Sequence, residues 1–240
     1  MDEILNFNDL TICFMNPINF IDNLSFSADG ILVSAGSNRR NAEIFMRQGD
    51  LDSACAIYSL MMMLIINNRV NRKDLVSRDK KRGYTSIKRL QDEFLAGLPG
   101  LYKEGYFFNT IKEKLCSSFK KVASAETFTT LNYKDREDII SKNELHKKIK
   151  ETLESGFPVQ IGFSYKGGRG GHAVVAIGFQ ELQNKIRLFC LDPAYNLAQQ
   201  AFWNTIIDIN LEGNLKSTYQ DNYYSGKEKS VSVDEILIIK

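Results

Sequence analysis

Apolar and polar positions alternate in three distinct ways along the chain. Over residues 1–36 short apolar patches, Ile18-Asn19-Phe20-Ile21 and Ile31-Leu32-Val33, are punctuated by Asn16-Pro17 and Asp29-Gly30, the pattern of short strands joined by turns. A polar stretch, Ser37 to Asn41, follows. From Asp50 the pattern becomes helical: Asp50, Asp52 and Ser53 are good N-cap residues, and the run from Ala54 to Ile66 contains neither Gly nor Pro, which predicts a buried core helix. The basic segment Arg69 to Arg82 reads as a solvated connection. Apolar residues three and four apart predict helices over Ser86 to Ala96, ended by Gly97, and over Phe108 to Val122, with a turn at Leu98-Pro99-Gly100 between them. Ser141-Lys142-Asn143-Glu144 has the form in which the Ser and Glu side chains satisfy each other's free amides. Leu145, Ile149 and Leu153 then line one face of a surface helix that runs to Gly156.

After Gly156 the period changes to that of strands: Pro158 to Phe163, Ala173 to Phe179, Ile186 to Leu191, Thr205 to Ile209 and Val231 to Ile239. Helices first and an antiparallel β-sheet afterwards make an α+β chain, with a cleft between the two parts as the natural place for a site. Residues 1–240 are expected to form one domain, with amino-terminal strands and turns over 1–45, a helical lobe over 46–155 and a β-sheet lobe over 156–240.

Composition narrows the function classes. With 43% hydrophobic and 25% charged residues the chain is an ordinary globular one, which excludes disorder and fibre. Thirty-one basic and 29 acidic residues leave a net charge of +2, far from the excess that nucleic-acid binding needs. The longest apolar run falls short of the roughly 18–20 residues of a membrane span. Met1-Asp2-Glu3 opens no secretory signal, so a cytoplasmic location is expected, with delivery as an effector compatible. The four cysteines, Cys13, Cys55, Cys116 and Cys190, lack both zinc-site spacing and the density of a disulfide scaffold, and no metal or cofactor is expected.

The candidate chemistry starts at Cys55, in the first turn of the long apolar helix, where unpaired amides and the helix dipole favour negative charge on sulfur. On this feature alone Cys55 better suits a small buried hydrophobe. Gln48, seven residues upstream in Gln48-Gly49-Asp50-Leu51-Asp52-Ser53-Ala54-Cys55, could donate its side-chain amide, together with the Cys55 backbone amide, to the oxyanion of a tetrahedral intermediate. A glutamine near a cysteine also arises by chance.

A thiolate nucleophile needs a base that returns a proton to the leaving group, and the chain has two histidines. His146 lies on the charged helix and reads as a solvated surface residue. His172 opens Ala173-Val174-Val175-Ala176-Ile177-Gly178 directly after Gly167-Gly168-Arg169-Gly170-Gly171. Gly170 and Gly171 there would let backbone approach a substrate. A polar turn around Glu181 to Asn184 joins the next two strands, so residues symmetric about position 182 face each other, and Asp192 falls opposite His172 to within a residue or so. Asp192 could accept the second imidazole N–H and fix the tautomer, and Pro193 ends the ladder; Asp-Pro is also a plain strand terminator. Trp203 could shelter the pair or serve as core.

Together these residues resemble the papain-like cysteine peptidase superfamily, in the order Gln48, Cys55, His172, Asp192. The segments Gly156 to Gly162, Gly170 to Phe179 and Leu191-Asp192-Pro193 are most similar to the bacterial branch that includes bacteriocin-processing leader peptidases. The resemblance runs from about Gln48 to Pro193, and residues 67–140 match nothing. It implies Cys55 as nucleophile, His172 as base and acid, Asp192 as orienter, Gln48 with the Cys55 amide as oxyanion hole, and a peptide or protein as substrate. Ala56 stands where such enzymes often carry Gly or Trp, and Asp192 where plant-type papains use Asn. The same residues would also serve acyl transfer or deamidation, and a non-catalytic papain-like binding module is the rival outside enzymes. The sequence assigns no oligomeric state.

Overall fold

A run of apolar residues with no polar face must be covered on every side, and the Cys-bearing helix is. In the computed structural model, which describes residues 16–34, 42–49, 54–76, 85–94, 107–134, 136–167, 170–212, 216–220 and 227–240, helix α1 (Cys55–Ile66) has every residue from Ser59 to Ile66 buried. It packs on strands β6 (Val159–Tyr165) and β7 (Gly171–Leu182). Its N-cap is Ala54, which makes no side-chain capping bond; the cap candidates Asp50, Asp52 and Ser53 lie outside the described residues.

The other helices are α2 (Arg72–Val76), α3 (Ser86–Phe94), α4 (Phe108–Ser118) and α5 (Lys142–Glu154). Helix α2 corrects the expectation of a solvated connection from Arg69 to Arg82: Leu75 is buried, and Arg72 reaches back to the Phe45 carbonyl and to Glu43. Helix α4 is shorter than its apolar spacing implied, ending at Ser118. The turn at Leu98-Pro99-Gly100 lies outside the described residues. Helix α5 starts as expected, with Ser141 and Glu144 in a reciprocal capping box and Leu145, Ile149 and Leu153 buried.

The strands do more than form a sheet. Strands β6, β7, β8 (Lys185–Leu191), β9 (Thr205–Asn210), β10 (Ser217–Gln220) and β11 (Glu228–Ile239) pair antiparallel in the ring β7-β6-β11-β10-β9-β8-β7. The expected antiparallel sheet is therefore a closed six-stranded barrel, which leaves its strands without free edges along most of their length. The two twelve-residue strands outrun the ring and take extra partners: β1 (Asn19–Phe20) adds to β7 at Gly178 and Phe179, and β5 (Ala125–Thr129) adds to β11 from Glu235 to Ile239. A separate three-stranded sheet joins β2 (Leu24–Phe26), β3 (Leu32–Ser34) and β4 (Ala42–Glu43). Mixed helix and antiparallel sheet make the chain α+β. Among the described residues no helix is long and apolar enough to cross a membrane.

Candidate active site

Three side chains from three elements meet at one end of the barrel. Cys55 is the first residue of α1, half-buried, at the point where backbone amides precede the first helical hydrogen bonds, those from Ile57 and Tyr58 to the Ala54 carbonyl. His172 is the second residue of β7, and Cys55 lies close enough to its imidazole to raise the pKa. On the other side its Nε2 lies 2.7 Å from Oδ1 of Asp192, which leaves Nδ1 as the nitrogen for Cys55. Asp192 follows the last residue of β8 and is 0% exposed, while the His172 side chain is 10% exposed. Burial pulls the His172 pKa down, but the Asp192 charge, the Asp192 hydrogen bond and the Cys55 contact together outweigh it and push it up to about 10. The imidazolium is the favoured form at this position.

The Asp192 carboxylate is held from several directions. Oδ1 also accepts the Ala194 amide at 2.8 Å, and Oδ2 accepts the hydroxyl of fully buried Tyr219 at 2.5 Å. Burial, and then the Asp192 charge, push the Tyr219 phenol far above its ordinary pKa, so it stays a neutral donor. The buried Asn204 amide clasps the Asp192 backbone, accepting from its N–H at 2.7 Å and donating to its carbonyl at 2.9 Å and to that of Tyr195 at 3.1 Å. Aromatic edges close the pair off: Phe163, directly across the β6–β7 ladder from His172, meets the imidazole at 81° and 5.6 Å, and Tyr219 meets it at 77° and 6.3 Å.

Sequence symmetry placed Asp192 opposite His172, and the observed register is displaced by two residues. The turn sits at Gln183–Asn184, and a bulge between Ala176 and Gly178 takes one residue back, so Val175 pairs Leu191. An even displacement keeps both side chains on one face, where diagonal neighbours remain within reach of each other.

Gln48 is brought beside this group through its backbone, whose N–H donates to the Pro193 carbonyl at 2.9 Å; its side-chain Oε1 is buried with no partner among the described protein atoms. Gly170 has φ +109°, a conformation that favours glycine, and is exposed with open space where a Cβ would stand. Gly171 is crowded for a different reason: a Cβ there would stand 3.0 Å from the Phe163 carbonyl oxygen.

The remaining candidates lie elsewhere. His146 is half-buried, where solvation was expected; burial, then the nearby Lys142 charge, lower its pKa, and it lines a small cavity with Lys166 and Asn210. Cys190 is core, its thiol pushed up by burial, whereas Cys116 is exposed; Cys13 lies outside the described residues. Trp203 stacks on Phe20 and meets Phe189 edge-on, so its ring neighbours are core side chains. Tyr219, Asn204 and Phe163 were not singled out from sequence, where no motif marks them. Among the described residues no group of three or more His, Cys, Asp or Glu could hold a metal ion.

No curated protein matches the chain. A family model does, across residues 41–230, a stretch that takes in Gln48, Cys55, His172 and Asp192 as well as the middle region that resembled nothing. The chain belongs to the Peptidase_C39 like family, in keeping with its resemblance to the papain-like cysteine peptidase superfamily.

Proposed function

We propose that this protein is a papain-like cysteine peptidase that cleaves a peptide or amide bond through a thioester on Cys55. The observation that carries the reading is the His172–Asp192 pair at 2.7 Å, with Cys55 acting on the same imidazole. In the acylation step His172 holds the proton from Cys55, and the sulfur attacks the substrate carbonyl carbon. The carbonyl oxygen takes the negative charge and accepts hydrogen bonds from the Cys55 amide and the Gln48 side chain. The C–N bond then breaks as His172 gives its proton to the departing nitrogen. Water, deprotonated by the same imidazole, attacks the thioester carbon and frees the sulfur. Asp192 keeps the ring in the tautomer and orientation that both transfers need and stabilises the imidazolium between them. Gly170 and Gly171 offer backbone to an extended substrate. The α1-bearing helical part and the barrel form the two lobes of one papain-like domain over residues 1–240.

Iodoacetamide tests the reading without knowledge of the substrate. Near neutral pH it should modify Cys55 much faster than Cys13, Cys116 or Cys190, and Cys55→Ala should abolish turnover of any substrate found. Equal reactivity of all four thiols would overturn it. Mass analysis of a substrate panel separates cleavage from a gain of roughly one dalton by deamidation and from cross-linking by acyl transfer, because all three share the same thioester.

A further inference from the structure

Helix α1 makes polar contacts to its surroundings at both ends, and the two sets differ in kind. At the C-terminal end Ser34 and Asn23 donate to the Ile66 carbonyl, one of the last-turn carbonyls that lack an intrahelical partner, so these bonds satisfy the helix end. At the N-terminal end the Gln160 side chain donates from Nε2 to the Ala56 carbonyl at 2.8 Å. That carbonyl belongs to the first turn and already faces the amide four residues on, so the helix does not require a second donor there. Gln160 is fully buried, and its Oε1 has no partner among the described protein atoms. One turn along α1, fully buried Ser59 donates to the Ala173 carbonyl at 3.2 Å.

These two contacts join the residues next to the reacting groups: Ala56 adjoins Cys55, Ser59 lies four positions beyond it, and Ala173 adjoins His172. The buried run Leu60, Met61, Met62 and Met63 of α1 is rich in methionine, whose flexible side chain specifies register weakly. Buried polar contacts that must be satisfied in one place do specify it.

We propose that Gln160 and Ser59 are positioning residues, a clamp between α1 and the β6–β7 hairpin that sets the Cys55 sulfur against the His172 ring. The inference rests on the catalytic reading of Cys55 and His172, and it adds that the clamp serves geometry rather than stability. A displacement of about 1 Å is enough to cost on the order of a hundredfold in rate.

The test is Gln160→Met, which keeps volume, removes a buried polar group with an unpaired oxygen and leaves the Ala56 carbonyl its helical partner. Its Tm should be unchanged or higher, while the second-order rate of Cys55 alkylation by iodoacetamide at pH 7 falls about tenfold or more, and kcat for any substrate falls with it at constant KM. Ser59→Ala should lose reactivity likewise, and Ser59→Thr, which keeps the hydroxyl, should restore most of it. Fast wild-type Cys55 with an equally fast Gln160→Met, or a rate loss that only tracks a fall in Tm across all three variants, would overturn the clamp alone. Wild-type Cys55 no faster than Cys116 would overturn the catalytic reading, and the clamp with it.

Discussion

Replacing Tyr219 by Phe removes one hydroxyl and leaves the ring, whose neighbours Phe163 and Tyr165 stand 4.9 Å and 6.1 Å away, in place. The hydroxyl is the donor to Oδ2 of Asp192, in a site with no solvent exposure, so nothing replaces it; Oδ1 keeps the His172 and Ala194 contacts. A hydrogen bond to a buried charged group is worth about 1.5–3 kcal/mol, and the variant should unfold more easily by about 2 kcal/mol in urea at pH 7. A carboxylate held by one oxygen orients the imidazole less firmly, and kcat should fall about tenfold, equivalent to about 1.4 kcal/mol, with KM unchanged because Tyr219 is fully buried. Equilibrium denaturation together with steady-state kinetics reads both. Wild-type kcat would refute the argument that Asp192 depends on the phenol, even if the stability loss were found.

Two further outcomes follow from the same geometry. Because the pKa of His172 is raised from 6.5 to about 10 in the folded protein, its contribution to stability is complete below pH 6.5 and is lost as pH rises through about 10; the Tm gap between wild type and His172→Gln should therefore narrow from pH 6 to pH 10, and a gap that widens would reverse the sign of the argument. Gly178→Ala would place a Cβ 2.5 Å from the Phe20 ring and 2.7 Å from the Asn19 carbonyl oxygen, which cannot yield without breaking the β1–β7 pairing; the expected loss is about 1–3 kcal/mol, with a change in the fluorescence of the sole tryptophan, Trp203, which stacks on Phe20.

Legibility in the sequence followed the strength of local physics. The apolar run without Gly or Pro gave α1 to within its first residues, and the Ser141–Glu144 box marked the start of α5, because burial on all sides and amide capping are both written in short stretches. Strand β5 was not legible because its buried positions are Ala125, Thr127 and Thr129: the threonine hydroxyls are satisfied by Asp138 and by the Asp234 carbonyl, so polar residues occupy the inward face. Strand β10 has one large buried residue in four, Tyr219, and a single apolar side chain carries no period. The His172–Asp192 juxtaposition was found through a register that was two residues off, since neither the turn position nor the bulge is encoded sharply. Only the evenness of the error kept the two side chains on one face.

Closure of the barrel is what the site required and what no local pattern announced. His172 and Asp192 come from adjacent strands of one hairpin and could meet in an open sheet. Tyr219 faces them from across the interior: in the ring β10 stands opposite β7, three strands away in either direction, and two strands from β8, so its hydroxyl donates to Asp192 at the end of β8 while its ring meets the His172 imidazole. Phe163 from β6 fills the space between, touching both the imidazole and the phenol. The Asp192 carboxylate is thus held by its own hairpin and by a donor two strands away, and its orientation depends on pairings as distant as β9 with β10 and β10 with β11. The barrel presents His172 from β7, while α1, which carries Cys55, is a separate element packed on β6 and β7.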